Sequence, residues 1–128
     1  MPDLKLRQIK YEIETCKWLL NFITDENVYL KNRLAEVVKE SFEINMLAEM
    51  EIYLGKSLAQ DEYVNLLRND VAKIEQRLWA APNEESEIVN YIYPNVRLLR
   101  SNILKTEALA IKLFEEFNNF ISQWFMSN

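Results

Sequence analysis

The chain has 128 residues, of which 49% are hydrophobic and 27% charged, and its formal net charge is −5. These values are ordinary for one soluble globular domain with a sizeable core. One glycine and three prolines are too few for the tight turns of a sheet protein, so the composition predicts helices. The basic residues are interspersed with acids rather than clustered, so we expect no nucleic-acid partner.

Three features of the sequence bear on the cellular compartment in which the protein is expected. No stretch of about 18 apolar residues is present, so no segment is expected to span a membrane. The N-terminal segment MPDLKLRQIKYEIE lacks the apolar core of a signal peptide. Cys16 is the only cysteine, so no intrachain disulfide can form. We therefore expect a cytoplasmic protein.

Apolar residues recur at alternating steps of three and four, the spacing that keeps one stripe of a helix facing one direction. The first predicted helix covers about residues 3–40. Its stripe is Leu6, Ile9, Ile13, Cys16, Leu20, Ile23, Asn27, Leu30, Leu34 and Val37. Because Cys16 lies on this stripe and the chain has no histidine to activate it, we interpret it as a buried structural thiol rather than a nucleophile.

The second predicted helix covers about residues 45–80. Its stripe is Met46, Met50, Tyr53, Ser57, Gln60, Val64, Leu67, Val71, Ile74 and Leu78. Pro82 and Asn83 mark the boundary that follows, because proline disfavours helix at the preceding residue and asparagine is a good N-cap.

The third predicted helix covers about residues 84–126. Its stripe is Val89, Ile92, Val96, Leu99, Ile103, Thr106, Ala110, Leu113, Phe117, Phe120 and Trp124. Pro94 interrupts the hydrogen-bond ladder of this helix. We expect either a kink, or a short helix that ends near Tyr93 and a longer one that begins at Pro94.

Short connections between long helices make neighbouring helices antiparallel. The prediction is an all-α fold, a long antiparallel up-down-up three-helix bundle with coiled-coil-like packing, formed as a single domain by residues 1–128.

Polar residues interrupt all three stripes, at Asn27, Ser57, Gln60 and Thr106. Antiparallel pairing about the two connections predicts that they lie at one level and form a buried polar layer. Polar core residues of this kind fix the register of helices at a cost in stability. The alternative interpretation is a site for a small polar ligand.

Residues for catalysis are scarce. The chain has no histidine, the commonest general base and metal ligand near neutral pH, and one glycine cannot build a phosphate-binding loop. Acidic pairs such as Asp61-Glu62 are interpreted as solvated faces. We therefore predict no catalytic residues, metal site or cofactor, and no enzyme activity.

A second apolar stripe on the first helix consists of Tyr11, Trp18, Phe22 and Tyr29, roughly opposite the first. An isolated three-helix bundle needs one broad apolar face per helix, so this stripe is a candidate interface. The preferred explanation is a homo-oligomer, most simply a two-fold dimer, and the alternative is a helical protein partner. If the stripe were instead buried within one chain, a fourth helical segment would have to pack against it, and the favoured source of that segment is a break in the second helix near Gly55.

Further apolar residues widen the stripes of the other two helices, and we expect them to thicken the core. They are Leu47, Leu54, Leu58, Leu104, Ile111, Phe114, Ile121 and Phe125. Docking of the aromatic C-terminal helix on a membrane surface is disfavoured by the acidic net charge.

Two segments, ENVYLKNRLAEVV (residues 26–38) and QDEYVNLLRNDVAKIEQRL (residues 60–78), resemble small bacterial helical proteins without an assigned function, of the sort found in Bacteroidetes. The resemblance implies a bacterial, all-helical protein and transfers no catalytic or binding residue. The functional hypothesis is a non-enzymatic interaction or scaffold protein, for example an adaptor or a chaperone-like subunit. The alternative is a bundle that binds a small ligand at the polar layer.

Overall fold

The computed structural model describes residues 2–40, 43–80 and 84–127; Pro82 and Asn83 lie outside this part of the chain. Helix α1 spans Pro2–Glu40 and α2 spans Ile44–Ala80. A single turn, α3 (Glu85–Glu87), leads into a π-helical segment (Ile88–Ile92) and then into α4 (Tyr93–Ser127). The long helices α1, α2 and α4 have 39, 37 and 35 residues, so each is about 50 to 60 Å long.

Helices α1 and α2 run in opposite directions. Lys17 near the start of α1 forms an ion pair of 2.7 Å with Glu75 near the end of α2. Lys31, further along α1, pairs with Asp61, which lies earlier in α2. Residue numbers therefore rise on one helix as they fall on its neighbour, as the sequence predicted.

Helix α4 runs in the same direction as α1 and packs against both other long helices. Arg100 Nη1 lies 3.5 Å from the Glu12 carboxylate, and the rings of Tyr29 and Phe114 lie 5.3 Å apart. The predicted all-α, up-down-up three-helix bundle is thus confirmed.

The buried apolar residues form two clusters, one toward each end of the bundle. The larger comprises Ile9, Ile13, Cys16, Leu19, Leu20, Ile23, Val64, Leu67, Val71, Ile74, Leu78, Ile88, Ile92, Val96, Leu99, Ile103 and Ala110. The smaller comprises Leu30, Leu34, Val37, Met46, Met50, Leu113, Phe117 and Ile121. Asn27 and Ser57 are buried and fall between the two clusters along α1 and α2, so a polar level separates the two parts of the core.

Helix α2 is continuous through Gly55. Gly55 is exposed, and a Cβ built on it would have no neighbour within 4 Å. The break near Gly55 that would supply a fourth helical segment therefore does not occur.

The chain accommodates Pro94 by a π turn directly before it. Proline has no N–H, and its ring clashes with the carbonyl four residues earlier in an α-helix. The backbone N–H of Tyr93 bonds instead to the carbonyl of Ile88, five residues earlier. The Asn95 side chain donates to the Tyr91 carbonyl at 2.8 Å, and Pro94 lies in the first turn of α4, where proline is tolerated. The structure is therefore closer to the second expectation, in which a long helix begins at Pro94, than to a kinked helix.

The expectation that the additional apolar residues thicken the core is wrong for most of them. Ile121 is buried and Leu47 and Phe114 are partly buried. The others are exposed, namely Leu54, Leu58, Leu104, Ile111 and Phe125. Three packed helices cover one stripe on each helix and leave the flanks of that stripe at the surface.

Candidate interaction surface and polar layer

The aromatic face of α1, formed by Tyr11, Trp18, Phe22 and Tyr29, lies largely at the surface. The exposed fractions of Tyr11, Trp18 and Tyr29 are 72%, 66% and 56%, while Phe22 is partly buried. The rings of Trp18 and Phe22 stack with their centroids 6.3 Å apart. The structure therefore places all four residues away from the core of α1, in one row with two rings in contact at its centre.

Helix α4 extends this surface beside Tyr29. Phe114 packs against the Tyr29 ring, so Tyr29 has partial cover within the chain. Ile111 lies one turn before Phe114, and Leu104 lies two turns before Ile111 on the same side of the helix. Both are exposed. Exposed apolar side chains of α4 therefore lie along the same side of the bundle as Tyr29, an arrangement that the sequence does not predict.

Asn27 is buried, with 2% of its surface exposed, and is tied to α2. Its side-chain N–H donates to Asp61 Oδ1 at 3.0 Å, and the other carboxylate oxygen of Asp61 pairs with Lys31. Asn27 and Lys31 are four residues apart and so lie on one side of α1. Asp61 thus satisfies the buried amide and an ammonium group together.

The other predicted members of the polar layer do not join this hydrogen bond. Ser57 is fully buried, and in the described part of the chain neither its Oγ nor Gln60 Oε1 has a hydrogen-bond partner. The Thr106 hydroxyl donates to the Asn102 carbonyl of its own helix at 2.8 Å. No hydrogen bond connects Asn27, Ser57, Gln60 and Thr106 with one another among the residues described.

Thr106 also lies at a different height in the bundle. Tyr29 packs beside Phe114, so the residues of α4 near Lys112 lie at the level of Asn27. Thr106 precedes that level by about six residues, or roughly 9 Å along the helix. The observed polar contacts are therefore made by α1 and α2, and the buried residues of α4 on either side of this level, Ala110 and Leu113, are both apolar.

Two carboxylates proved more important than the sequence suggested. The sequence pattern predicts a solvated position for Asp61, yet its side chain is only 27% exposed and accepts a hydrogen bond from Asn27. Glu12 is buried and faces Arg100 at the boundary of α1 and α4. The available signal for Asp61 was its position next to Gln60, the residue that antiparallel pairing placed opposite Asn27.

Cys16 is fully buried within the larger cluster. Burial raises the pKa of its thiol, an effect partly opposed by the positive charge of Arg100 and reinforced by Glu12. A thiol held in its neutral form is a poor nucleophile, because the thiolate is the reactive species. These surroundings agree with a structural role for Cys16.

Within residues 2–40, 43–80 and 84–127, no helix has both the length and the apolar character needed to cross a bilayer. The same residues contain no group of three or more acidic or thiol side chains placed to hold a metal ion. No known family model, characterised protein or solved structure matches this chain.

Proposed function

We propose that the protein is a non-enzymatic interaction or scaffold protein, a helical bundle that self-associates through the aromatic face of α1. The single observation that carries this proposal is the exposure of Tyr11 and Trp18, at 72% and 66%, in one row with Phe22 and Tyr29. Exposed aromatic side chains gathered on one face of a globular protein mark contact sites. Tryptophan and tyrosine are also the residues that most often dominate the energy of a contact.

The energetics permit such an association. Burial of a large apolar side chain contributes about 1.5 to 3 kcal/mol, and a two-fold contact uses each residue twice. Loss of translational and rotational freedom costs about 4 to 15 kcal/mol. Four partly exposed aromatic residues, each used twice, supply free energy of the same order, so we expect a modest, reversible association.

The test replaces the centre of the row. The variant Trp18→Ala with Phe22→Ala should shift the protein toward monomer in sedimentation velocity, because it removes the stacked rings that the second copy would cover. Its far-ultraviolet circular dichroism should remain close to that of the parent protein. The matched control is Leu58→Ala with Leu66→Ala, which truncates two exposed leucines of α2 and should leave the association state unchanged.

Two results would contradict the proposal. A parent protein that remains monomeric up to about 100 µM, where a contact of roughly 5 kcal/mol would already be half occupied, would show that the aromatic face does not bind a second copy. Loss of helix content in the Trp18 and Phe22 variant, with no change in association, would assign these side chains to the stability of the single chain. Recovery of a stoichiometric helical protein with a monomeric bundle would support the hetero-partner instead.

A ligand-binding bundle is the second candidate. It is favoured by the burial of Ser57 Oγ and Gln60 Oε1 without a partner in the described part of the chain, because buried polar atoms normally form hydrogen bonds. A small molecule retained in native mass spectrometry, and lost on Ser57→Ala, would support this candidate.

A further inference from the structure

We infer that two copies of the protein pair through α1 in an antiparallel arrangement, with the two-fold axis passing between Trp18 and Phe22. This inference rests on the proposed self-association and specifies its geometry. The four aromatic residues are spaced symmetrically along α1, since seven positions separate Tyr11 from Trp18, four separate Trp18 from Phe22 and seven separate Phe22 from Tyr29. The row therefore reads the same in both directions.

A row with this symmetry is complementary to itself. In a two-fold contact both copies use the same surface. If one residue of the first copy contacts another residue of the second copy, the same two residues also meet with the copies exchanged. With the axis between Trp18 and Phe22, each Trp18 meets Phe22 of the second copy and each Tyr11 meets Tyr29. In a parallel pairing, by contrast, each aromatic residue would have to face its own equivalent.

The structure adds a feature that suits this pairing. At one end of the row Tyr11 is the most exposed of the four residues. At the other end Tyr29 is backed by Phe114, and Ile111 lies one turn away with its side chain exposed. The projecting Tyr11 ring of one copy thus meets a broader apolar surface, formed by α1 and α4, on the other.

The area available is sufficient for a reversible dimer. Aromatic side chains bury about 150 to 250 Å² each, so the exposed parts of Tyr11, Trp18 and Tyr29 amount to roughly 400 Å² per copy. Leu4 lies seven residues before Tyr11 on the same face and is also exposed. Two copies would bury about 1,000 Å² in total, the lower end for a specific contact.

The charged residues that flank the aromatic row predict how salt affects the stability of the dimer. The same axis brings Glu14 of one copy, whose carboxylate lies 3.4 Å from the Lys17 ammonium group, opposite the acidic pair Asp25-Glu26 of the other. Acidic residues outnumber basic ones at this position, so the net effect is repulsion. Salt screens repulsion between exposed like charges, so a higher sodium chloride concentration should strengthen the dimer or leave it unchanged. A dimer that weakens with salt would contradict this arrangement.

Spin labels measure the orientation directly. Single cysteines at Asn21→Cys and Glu36→Cys, each in the Cys16→Ala background, provide one site near the axis and one far from it. At 1.5 Å per residue, antiparallel pairing places the two labels at residue 36 about 50 Å apart and those at residue 21 within about 20 Å. Pulsed electron–electron double resonance should therefore give a long intermolecular distance for the Glu36→Cys variant and a short one for the Asn21→Cys variant. Excess unlabelled protein should abolish both intermolecular signals.

The outcomes separate the geometry from the proposed function. Short distances at both positions would establish a parallel dimer, which overturns the antiparallel arrangement but retains self-association through α1. Long distances at both positions would place the contact elsewhere on the bundle. A monomeric protein without any intermolecular distance would overturn the proposed function itself. Circular dichroism of each labelled variant verifies that the helices are intact.

Discussion

At the scale of single residues, Cys16 gives a direct test of how the bundle packs. Its side chain is fully buried between the helices, and burial raises the pKa of the thiol. A thiol reagent should modify native Cys16 on the order of 100-fold more slowly than Cys16 in urea, because core residues react only when the structure opens. The folded state also holds the thiol proton more tightly than the unfolded chain does, so stability should decrease as the pH rises past the unfolded thiol pKa.

The control for this measurement is an exposed thiol. Ser101→Cys in the Cys16→Ala background places a cysteine on the exposed surface of α4, and it should react at nearly the same rate with and without urea. Rapid labelling of native Cys16 would mean that α1 separates from the bundle far more often than a core helix does.

Only part of the polar layer can be predicted from the sequence. The burial of Asn27 follows from its place on the apolar stripe, because helical periodicity determines which face a residue occupies. The role of Asp61 does not follow, because this residue lies at the edge of the stripe, where contact with α1 depends on how far the helices approach. The height of Thr106 depends on the path between α2 and α4, which periodicity within each helix does not specify.

Among the secondary-structure elements, the ends of the helices can be predicted closely from the sequence. The predicted range of 45–80 compares with Ile44–Ala80 in the structure, because the periodic pattern stops where the turn residues begin. The π turn at Ile88–Ile92 could not be predicted. Proline shows that a hydrogen bond is missing, but a kink, a restart and a wider turn all satisfy that requirement.

Gly55 offers a prediction at the same scale. It lies in the exposed interior of α2, where glycine costs roughly 0.5 to 1 kcal/mol relative to alanine, and an added Cβ would meet nothing within 4 Å. Gly55→Ala should therefore raise the free energy of unfolding by about that amount in urea denaturation. The matched control Ala59→Gly, an exposed position one turn later, should lower it by a similar amount.

If Gly55→Ala weakens the association of the protein, the contact between copies must include the backbone of α2 at that point. That result would move the contact surface from the aromatic face of α1 to α2. The same variant therefore also provides an independent check on the proposed interface.

At the scale of the whole molecule, the architecture was predictable because three long periodic segments joined by short connections leave few alternatives. The periodicity does not predict that the core divides into two clusters, with Asn27 between them. The seam of α1 passes from Ile23 to Leu30 through Asn27. Displacing α1 relative to α2 would remove this buried amide from Asp61, so the polar contact favours one register of the bundle.

The last prediction tests that role through Asp61. Asp61→Ala leaves the Asn27 amide buried without its acceptor, which should reduce the free energy of unfolding by about 1 to 3 kcal/mol. Lys31→Ala is the matched control, since it removes the partly exposed ion pair but keeps the Asn27 hydrogen bond, and it should cost about 0 to 1 kcal/mol. Urea denaturation at one fixed protein concentration measures both, because association also contributes to stability. Equal, small losses for the two variants would show that Asn27 finds another partner once Asp61 is gone, and the register would then be determined by the two apolar clusters alone.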